Sequence, residues 1–514
     1  MNNFDGALNL YPEICIDNFS SSVLFSRKIR CFILTHFHDD HMKNLEDHRF
    51  YTILKQNMDI VKFYCSPVTK DFISICNKYN HLTDVCHEIS IDTPFIVHIS
   101  NKETVTVSFS GSGHCPGSIM VFIEGSRGNV LFTGDFRLPA NTVSCLSVFK
   151  GTFDNADKKQ LKSVDNLYID MTFFKNKVPY IPSREESSKA LIDFLKSFLN
   201  FDIKTDFTKL VYLKTSARIG YEYIYQEINR VTGYKIHVND LIYKLYEKLP
   251  QIQNILTSDP YETPIHCCIY ENRKRDLAKT DLMTSGLNSK AEKASYENLS
   301  KKVDSSKPII PCVLDYDDEK SFKKPLKVNA VKVILSAMWF TDNPGINKIM
   351  VEYRPNQKEL ESPAYKPYKS IYRLCFSFHS SLEEIIDFVN TLKPKKMYCI
   401  ALPESTTENT VNKYFYDSNQ NFVGFHKNNE NKTNFKHEDS STRNALIKKS
   451  NNLKNKILVI KKRKSFEIFE SKNSQHDSSN ESSDDNNAST DNDSLKFDDS
   501  DNDEISFNKK KIKS

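Results

Sequence analysis

The stretch Ile33-Leu34-Thr35-His36-Phe37-His38-Asp39-Asp40-His41-Met42 constrains this chain more than any other. It sets three histidines and two aspartates into six consecutive positions, directly after the apolar run Cys31-Phe32-Ile33-Leu34. An apolar run ending in a polar cluster reads as a buried strand that delivers side chains to its C-terminal mouth. His36 and His38 lie two apart, so on an extended backbone they face the same side. Asp40 and His41 follow where the chain is expected to turn into a helix, Met42 to Leu45, bringing a carboxylate and an imidazole from the opposite wall. Such a donor set suits two divalent ions about 3.5–4 Å apart, each with a position open to water. The plain alternative is a polar loop that happens to be rich in histidine, and the strand leading into it argues against that.

The pattern resembles the H-x-H-x-D-H signature of the metallo-β-lactamase superfamily, with Phe37 and Asp39 as departures inside it. Further motifs of that superfamily follow in order. Gly113-His114-Cys115-Pro116-Gly117-Ser118 implies a third histidine for the first metal. Leu131-Phe132-Thr133-Gly134-Asp135-Phe136 implies a bridging aspartate at a strand end. Tyr168-Ile169-Asp170-Met171-Thr172 implies an aspartate that supports or ligates the second metal, and Cys375-Phe376-Ser377-Phe378-His379-Ser380-Ser381 the last histidine. A lone buried histidine is usually a satisfied core residue. Five motifs in order carry much more weight.

The likeness narrows further. Asn3-Phe4-Asp5-Gly6, Tyr11-Pro12, Ile16-Asp17, Gly220-Tyr221-Glu222-Tyr223, His237-Val238-Asn239, Met338-Trp339-Phe340 and the Phe376 to Ser381 segment resemble the DNA hairpin-opening nucleases of the β-CASP group. The resemblance runs over about residues 1–425. It implies an α/β fold, a metallo-β-lactamase αββα sandwich with an inserted β-CASP domain. The expected layout is 1–174 for the first part of the sandwich, 175–365 for the insertion, 366–425 for the returning part, and 426–514 for a disordered charged tail.

The residues themselves agree with this layout. Residues 1–174 alternate strand and helix patterns, which suits two sheets covered by helices with the metals at the strand rim. Beyond Ser183 the period lengthens. Ser183-Arg184-Glu185-Glu186 is a capping box, and Ala190, Leu191, Phe194, Leu195 and Phe198 form a helical apolar face. Leu210 to Leu213 reads as a strand and Tyr221 to Val231 as a helix; the single Gly220 between them is a weak sign of an anion site. The one tryptophan, Trp339, is expected in the core rather than stacked on a base. The stretch 271–308 is rich in Lys, Ser, Asn and Glu and reads as a solvated insertion. Leu382 to Leu392 (helix) and Met397 to Leu402 (strand) return the chain to the first domain.

His266 and Cys268, two apart on an extended segment, can share a face and hold one ion. With His237 and Cys312 they form a His2Cys2 set of the closed, structural kind, and the β-CASP resemblance implies a structural Zn2+ there. The insertion lengthens the Cys268–Cys312 spacing, and a free buried cysteine is the competing reading of Cys312.

Charge bounds the partners. Of the formal +5 on 514 residues, the acidic block 473–505 carries −10, the basic block 426–472 +8 and the last nine residues +4, leaving +3 for 1–425. Nucleic-acid binding therefore has to come from a local patch and the metals, not from bulk charge. Lys461-Lys462-Arg463-Lys464 reads as a nuclear-import patch or a DNA-contacting arm, a solvated charge run being the bland alternative. Ser482, Ser483 and Ser500 sit among acids as candidate phosphorylation sites. Twelve scattered cysteines and a first segment bearing Asn, Asp and Glu are expected of a reducing compartment without secretion, and the resemblance implies the nucleus. No membrane partner is expected, because no apolar run reaches about 18 residues.

The resemblance then implies a metal-dependent DNA nuclease with two divalent ions, Zn2+ with Mg2+ or Mn2+ as alternatives. His36, His38 and His114 hold the first ion, Asp40, His41 and His379 the second, with Asp135 between them; Asp40, His41, Asp135, Asp170 and His379 are the catalytic candidates. Its substrates are DNA hairpins, overhangs and single-strand to double-strand junctions. Its place is double-strand-break repair by end joining, and the tail is a candidate docking segment for an end-joining kinase and ligase complex. Four readings compete: a 5′ exonuclease of interstrand-crosslink repair, an RNA-processing β-CASP endonuclease, a small-molecule hydrolase and an inactive scaffold. The RNA-processing relatives place a further histidine after the last strand, and Cys399-Ile400-Ala401-Leu402-Pro403 has none.

Overall fold

Alternation along the first strands sets the layering. In the computed structural model, which describes residues 4–20, 29–150, 161–175, 180–199, 208–268, 328–356, 368–404 and 406–423, β1 (Ile14–Ile16), β2 (Cys31–Ile33), β3 (Lys62–Cys65) and β4 (Cys86–Glu88) form a parallel sheet in that order. Ile14, Ile16, Cys31 and Ile33 point one way, into a core shared with Val107, Phe109, Val121 and Phe132 of a second sheet. Cys15, Phe32 and Phe63 point the other way, onto Phe50 and Leu54 of the helix His48–Gln56 and Phe72 and Ile73 of the helix Pro67–Ile75. A parallel strand covered on both faces is apolar at every position, which is why Cys31-Phe32-Ile33 shows no polar alternation. Phe32 is fully buried, edge-on to Phe50 at 5.0 Å, and its truncation to alanine would cost about 3–5 kcal/mol.

The second sheet begins as an antiparallel meander of β5 (Phe95–His98), β6 (Thr104–Gly111), β7 (Ile119–Glu124) and β8 (Val130–Phe132), and β9 (Asn166–Asp170) then joins β8 in parallel. Its outer face, with Met120, Phe122, Leu131, Leu167 and Ile169, is covered by the helices Leu382–Leu392 and Glu408–Phe415.

A third sheet occupies the sequence that follows. It contains β10 (Lys209–Lys214), β11 (Ile236–His237), β12 (Leu256–Thr257), β13 (Ile265–His266), β14 (Asn329–Leu335), β15 (Met350–Tyr353) and β16 (Ser370–Leu374), in the order β12-β11-β13-β10-β14-β16-β15. All its pairings are parallel except β15 with β16. The helices Arg184–Phe198 and Glu222–Thr232 pack Leu191, Leu195, Ile224 and Ile228 against Val211, Leu213, Val331 and Val333. Both bonds of the Ser183/Glu186 capping box form. Finally β17 (Lys396–Ala401) returns to the second sheet beside β9, with Ala401 in register with Asp170. The layers helix, sheet, sheet, helix are thus present, with the third sheet lying in sequence between β9 and β17. Ser370–Leu374, within the stretch expected to return to the first sandwich, hydrogen-bonds into the third sheet instead.

One local expectation fails. Met42 to Leu45 is not a helix: Lys43 forms an isolated bridge with Asn18, and Asn44 and Leu45 lie in a turn. Lys43 uses its carbonyl to accept from Phe19 N at 3.1 Å, and Asn44 sits at φ 63°, a left-handed conformation that asparagine tolerates. The helix starts only at His48, where Asp47 caps it by accepting from Arg49 N. The inserted stretch 271–308, Cys312 and the charged tail lie outside the described residues. Among the described residues no helix is long and apolar enough to cross a membrane.

Candidate metal centre

Strand ends place the site. Thr35, His36 and His38 follow β2, Asp135 follows β8, and Asp170 ends β9. His114 lies between β6 and β7, where Gly113 takes φ +69° and any Cβ would collide with the Arg137 carbonyl. His379 sits on the segment after β16, held because Ser377 Oγ accepts from its N–H at 2.9 Å and Ser380 N donates to Phe136 O at 2.8 Å. Buried Arg137 staples the surroundings by donating to Ser377 O (2.7 Å) and Pro182 O (2.8 Å), with Glu384 at 3.4 Å.

The five histidines share one design. Each engages its outer ring nitrogen with the protein and turns the inner one toward Asp135. Thr35 Oγ1 donates to Asp17 Oδ2 (2.7 Å) and so accepts from His36 Nδ1 (3.0 Å), which leaves a lone pair on His36 Nε2. His41 Nδ1 donates to the same Asp17 oxygen at 2.7 Å. His38 Nε2 donates to Ile219 O (3.2 Å), His114 Nδ1 to Phe378 O (2.9 Å), and His379 Nδ1 to Asp170 Oδ2 (2.8 Å). The inner nitrogens converge: His38 Nδ1 is 3.1 Å from His36 Nε2 and 3.0 Å from His114 Nε2. Asp135 lies 3.8 Å from His36, 3.6 Å from His114, 3.3 Å from His41 and 3.9 Å from His379. Outer bonds of this kind fix the tautomer and aim of metal-binding histidines.

Electrostatics divide the five. Burial, reinforced by neighbouring imidazoles, holds His36 well below the ordinary histidine pKa; burial also lowers His38 and, strongly, His114. Neutral imidazoles are what a cation requires. For His41 and His379 burial also opposes the charge. It is outweighed by Asp135 and Asp17 at His41 and by Asp170 and Asp135 at His379, so both are raised. Burial pushes Asp135 upward, yet His41 and His379 hold it far below the usual carboxylate range.

These residues fit divalent metal. His36, His38, His114 and Asp135 present donors mutually within 4.8 Å, and so do Asp135, Asp170 and His379. Buried His41 Nε2 faces the same cleft without a hydrogen-bond partner. Asp170 spends one oxygen on Thr172 (N at 2.9 Å, Oγ1 at 2.6 Å) and the other on His379, the stance of a supporting residue. Asp40 is not drawn into either group: its carboxylate is half exposed at the rim, 4.0 Å from His41 Nε2.

Sequence reasoning missed the role of Asp17. Buried at φ 57°, it accepts from Thr35 N (2.8 Å) as well as from Thr35 Oγ1 and His41. Its signal was present: a carboxylate directly after the apolar Ile14-Cys15-Ile16, as Asp135 follows Val130-Leu131-Phe132.

A second donor cluster lies in the third sheet. His237 and His266 are register partners on β11 and β13, with Nδ1 atoms 3.0 Å apart, and Cys268 completes a group within 4.8 Å. Tyr212 stacks on His266 at 4.6 Å. Trp339 is half-buried, 4.8 Å from the Arg373 guanidinium, which Tyr353 covers at 4.1 Å.

A family model described as DNA repair metallo-beta-lactamase matches residues 318–405, the segment bearing His379. The chain is 30% identical to protein artemis of Gallus gallus over 80% of its length and 49% of that protein, and 30% identical to protein artemis of Homo sapiens over 80% and 51%. It is 24% identical to DNA cross-link repair 1A protein of Homo sapiens over 75% of its length and 29% of that protein. The chain spans about half the length of the artemis proteins it matches. By these matches, the chain is similar to DNA repair metallo-β-lactamase proteins over residues 318–405 and to protein artemis over four-fifths of its length, in keeping with its fold and its strand-end histidines and aspartates.

Proposed function

We propose that this chain is a metal-dependent nuclease that hydrolyses DNA phosphodiester bonds, working in the nucleus in double-strand-break repair by end joining. The observation that carries this is the convergence of four imidazole nitrogens on the single carboxylate of Asp135, with His38 Nδ1 beside two of them. His36, His38 and His114 would hold one ion, His41 and His379 with Asp40 at the rim a second, and Asp135 would lie between them. Bound there, Zn2+, Mg2+ or Mn2+ would supply Lewis-acid charge and acidify water. The chain's own contribution is orientation and proton custody. Asp17 and Thr35 keep protons off the inner nitrogen of His36, and Asp170 aims the inner nitrogen of His379 into the same cleft. Thr172 in turn pins Asp170.

Contacts with DNA would fall mainly on phosphates, making cleavage tolerant of sequence and sensitive to salt. Cutting would concentrate at hairpin tips, overhangs and single-strand to double-strand junctions, where unstacking costs less by roughly a few kcal/mol. DNA is favoured over RNA by Ala401, a buried alanine in register with Asp170 where the RNA-processing pattern has a histidine. The division into a sandwich with an inserted domain, a structural Zn2+ on His237, His266, Cys268 and Cys312, and a tail that docks end-joining kinase and ligase belong to the same reading. A 5′ exonuclease of crosslink repair is the second reading, favoured by similarity to 5' exonuclease Apollo of Rattus norvegicus (28% identity over 34% of this chain) and to DNA cross-link repair 1A protein.

The test uses the full chain on end-labelled hairpin, 5′-overhang, 3′-overhang, blunt duplex, single-stranded DNA and single-stranded RNA at one salt concentration, with and without chelator. Chelator-sensitive cuts at hairpin tips and overhang junctions are expected. Stepwise release from 5′ ends alone would promote the exonuclease reading, and preferential cutting of RNA would overturn the DNA assignment.

A further inference from the structure

The turn after β10 touches the metal centre from the third sheet. His38 keeps its inner Nδ1 for the cluster and donates Nε2–H to the carbonyl of Ile219 at 3.2 Å. The other end of that same peptide unit, Gly220 N–H, donates to both oxygens of Glu222, at 2.9 and 3.0 Å. The described peptide bonds are all trans, so C=O and N–H point opposite ways from one plane. Glu222 is buried and also accepts from the Tyr246 hydroxyl. Burial raises its pKa while the bonds from the Tyr246 hydroxyl and Gly220 N–H favour the charged form, and both of its oxygens act as acceptors, the role of an ionised carboxylate.

The peptide has little freedom to turn. Gly220 stands at φ +113°, where a Cβ would press on the Phe378 ring at 3.3 Å. Tyr221 packs on Phe376 and Phe378 at 5.5 Å each, and its hydroxyl accepts from Ser216 N at 3.1 Å. Phe378 in turn lies against the His38 and His114 rings, at 5.9 and 4.8 Å.

We infer that Glu222 is a positioning residue for the metal centre, acting on His38 through the single peptide unit between Ile219 and Gly220. A carboxylate bonded directly to a ligand histidine raises its basicity and fixes its ring. Here the chain is carboxylate, peptide, imidazole. Negative charge at the N–H end polarises the amide and strengthens the carbonyl as an acceptor, since hydrogen bonds in series reinforce one another. The donor strength of His38 is thereby coupled to a side chain on the helix that follows β10. Asp17 on His36 and His41, and Asp170 on His379, reach their ligands within the sandwich; Glu222 does the equivalent from the third sheet.

The inference rests on the reading of His36, His38 and His114 as metal ligands, and its test separates the two. Full-length wild-type, Glu222→Gln and Glu222→Met proteins are stripped of metal and titrated with Co2+ and with Zn2+ against a chromogenic chelator. The thiolate charge-transfer band of the Cys268 cluster is followed apart from the d–d bands of the histidine–aspartate site, together with the thermal midpoint of the metal-free proteins. The isosteric glutamine keeps a neutral acceptor and should weaken the histidine–aspartate site roughly three- to tenfold. Methionine removes the acceptor and should weaken it by about tenfold or more, the lower end of the 10–100-fold range for direct partners because a peptide intervenes. The d–d bands should shift while the Cys268 band and its affinity stay unchanged. Equal affinity in all three proteins, or parallel losses at both sites with a lowered midpoint, overturns the relay. Wild-type protein that binds no ion at the histidine–aspartate site overturns the metal reading and the relay with it.

Discussion

Asp17→Asn is the most informative single change, because one carboxylate sets the proton positions of two histidines of the proposed metal site. Asparagine tolerates the left-handed φ of 57°, and its carbonyl can still accept from Thr35 N. Its amide, however, replaces Oδ2, the atom that accepts from both Thr35 Oγ1 and His41 Nδ1 at 2.7 Å. An NH2 there forces Thr35 Oγ1 to accept, so its hydroxyl proton turns toward His36 Nδ1, 3.0 Å away. His36 must then carry its proton on Nε2, and His41 likewise, the faces meant for metal. In the serine-protease triad, an aspartate-to-asparagine change of this kind inverts a tautomer and lowers turnover by roughly 10^4. With one ligand inverted at each proposed ion, metal affinity should fall by about 10–100-fold per site and turnover by about 10^3–10^4. In the metal-free protein His41 loses one of the two carboxylates that raise its pKa and keeps Asp135, so it charges less readily. The assay is cleavage of a labelled hairpin under saturating metal, beside a chelator-competition titration and a denaturation curve. Asp17→Asn protein that binds metal and cuts within threefold of wild type would refute the tautomer argument.

Three further outcomes follow from the same geometry. His38→Ala should abolish cleavage with circular dichroism unchanged, whereas Asp40→Ala, at the half-exposed rim, should lose turnover by orders of magnitude with less loss of metal; near-normal turnover in both would remove the two-ion reading. Cys268→Ser should lower the thermal midpoint more than turnover at saturating metal, because a closed site contributes folding energy; an unchanged midpoint would discard the structural zinc. Asp165 is pushed up by burial but held below the ordinary carboxylate pKa by Lys395 (2.6 Å) and Asn129 N (2.7 Å). Its contribution is therefore present above the unfolded carboxylate value of about 3.9 and lost as pH falls through the lower folded value. Asp165→Asn should destabilise the protein at pH 7 and match wild type in strong acid, and a gap persisting at low pH would contradict that sign.

Local order in the sequence determined the candidate donors and much of the frame. His36, His38 and His41 could be read from six residues because a strand end and a tight turn leave little choice of direction. The Ser183 cap and the helix Leu382–Leu392 were legible because capping and apolar period are properties of adjacent residues. The helix expected at Met42 failed because Lys43 and Asn44 spend their backbone on Phe19 and a left-handed turn, contacts made across a loop. Only the tertiary structure decided which proton sits where. Asp17 meets His41 across 24 residues, Asp170 meets His379 across 209, and the Ile219 carbonyl meets His38 across 181. No local pattern encodes such distances, since each depends on the packing of separate strands and sheets. A sequence can name the ligands of a metal centre, but their tautomers belong to the partners that the fold brings to them.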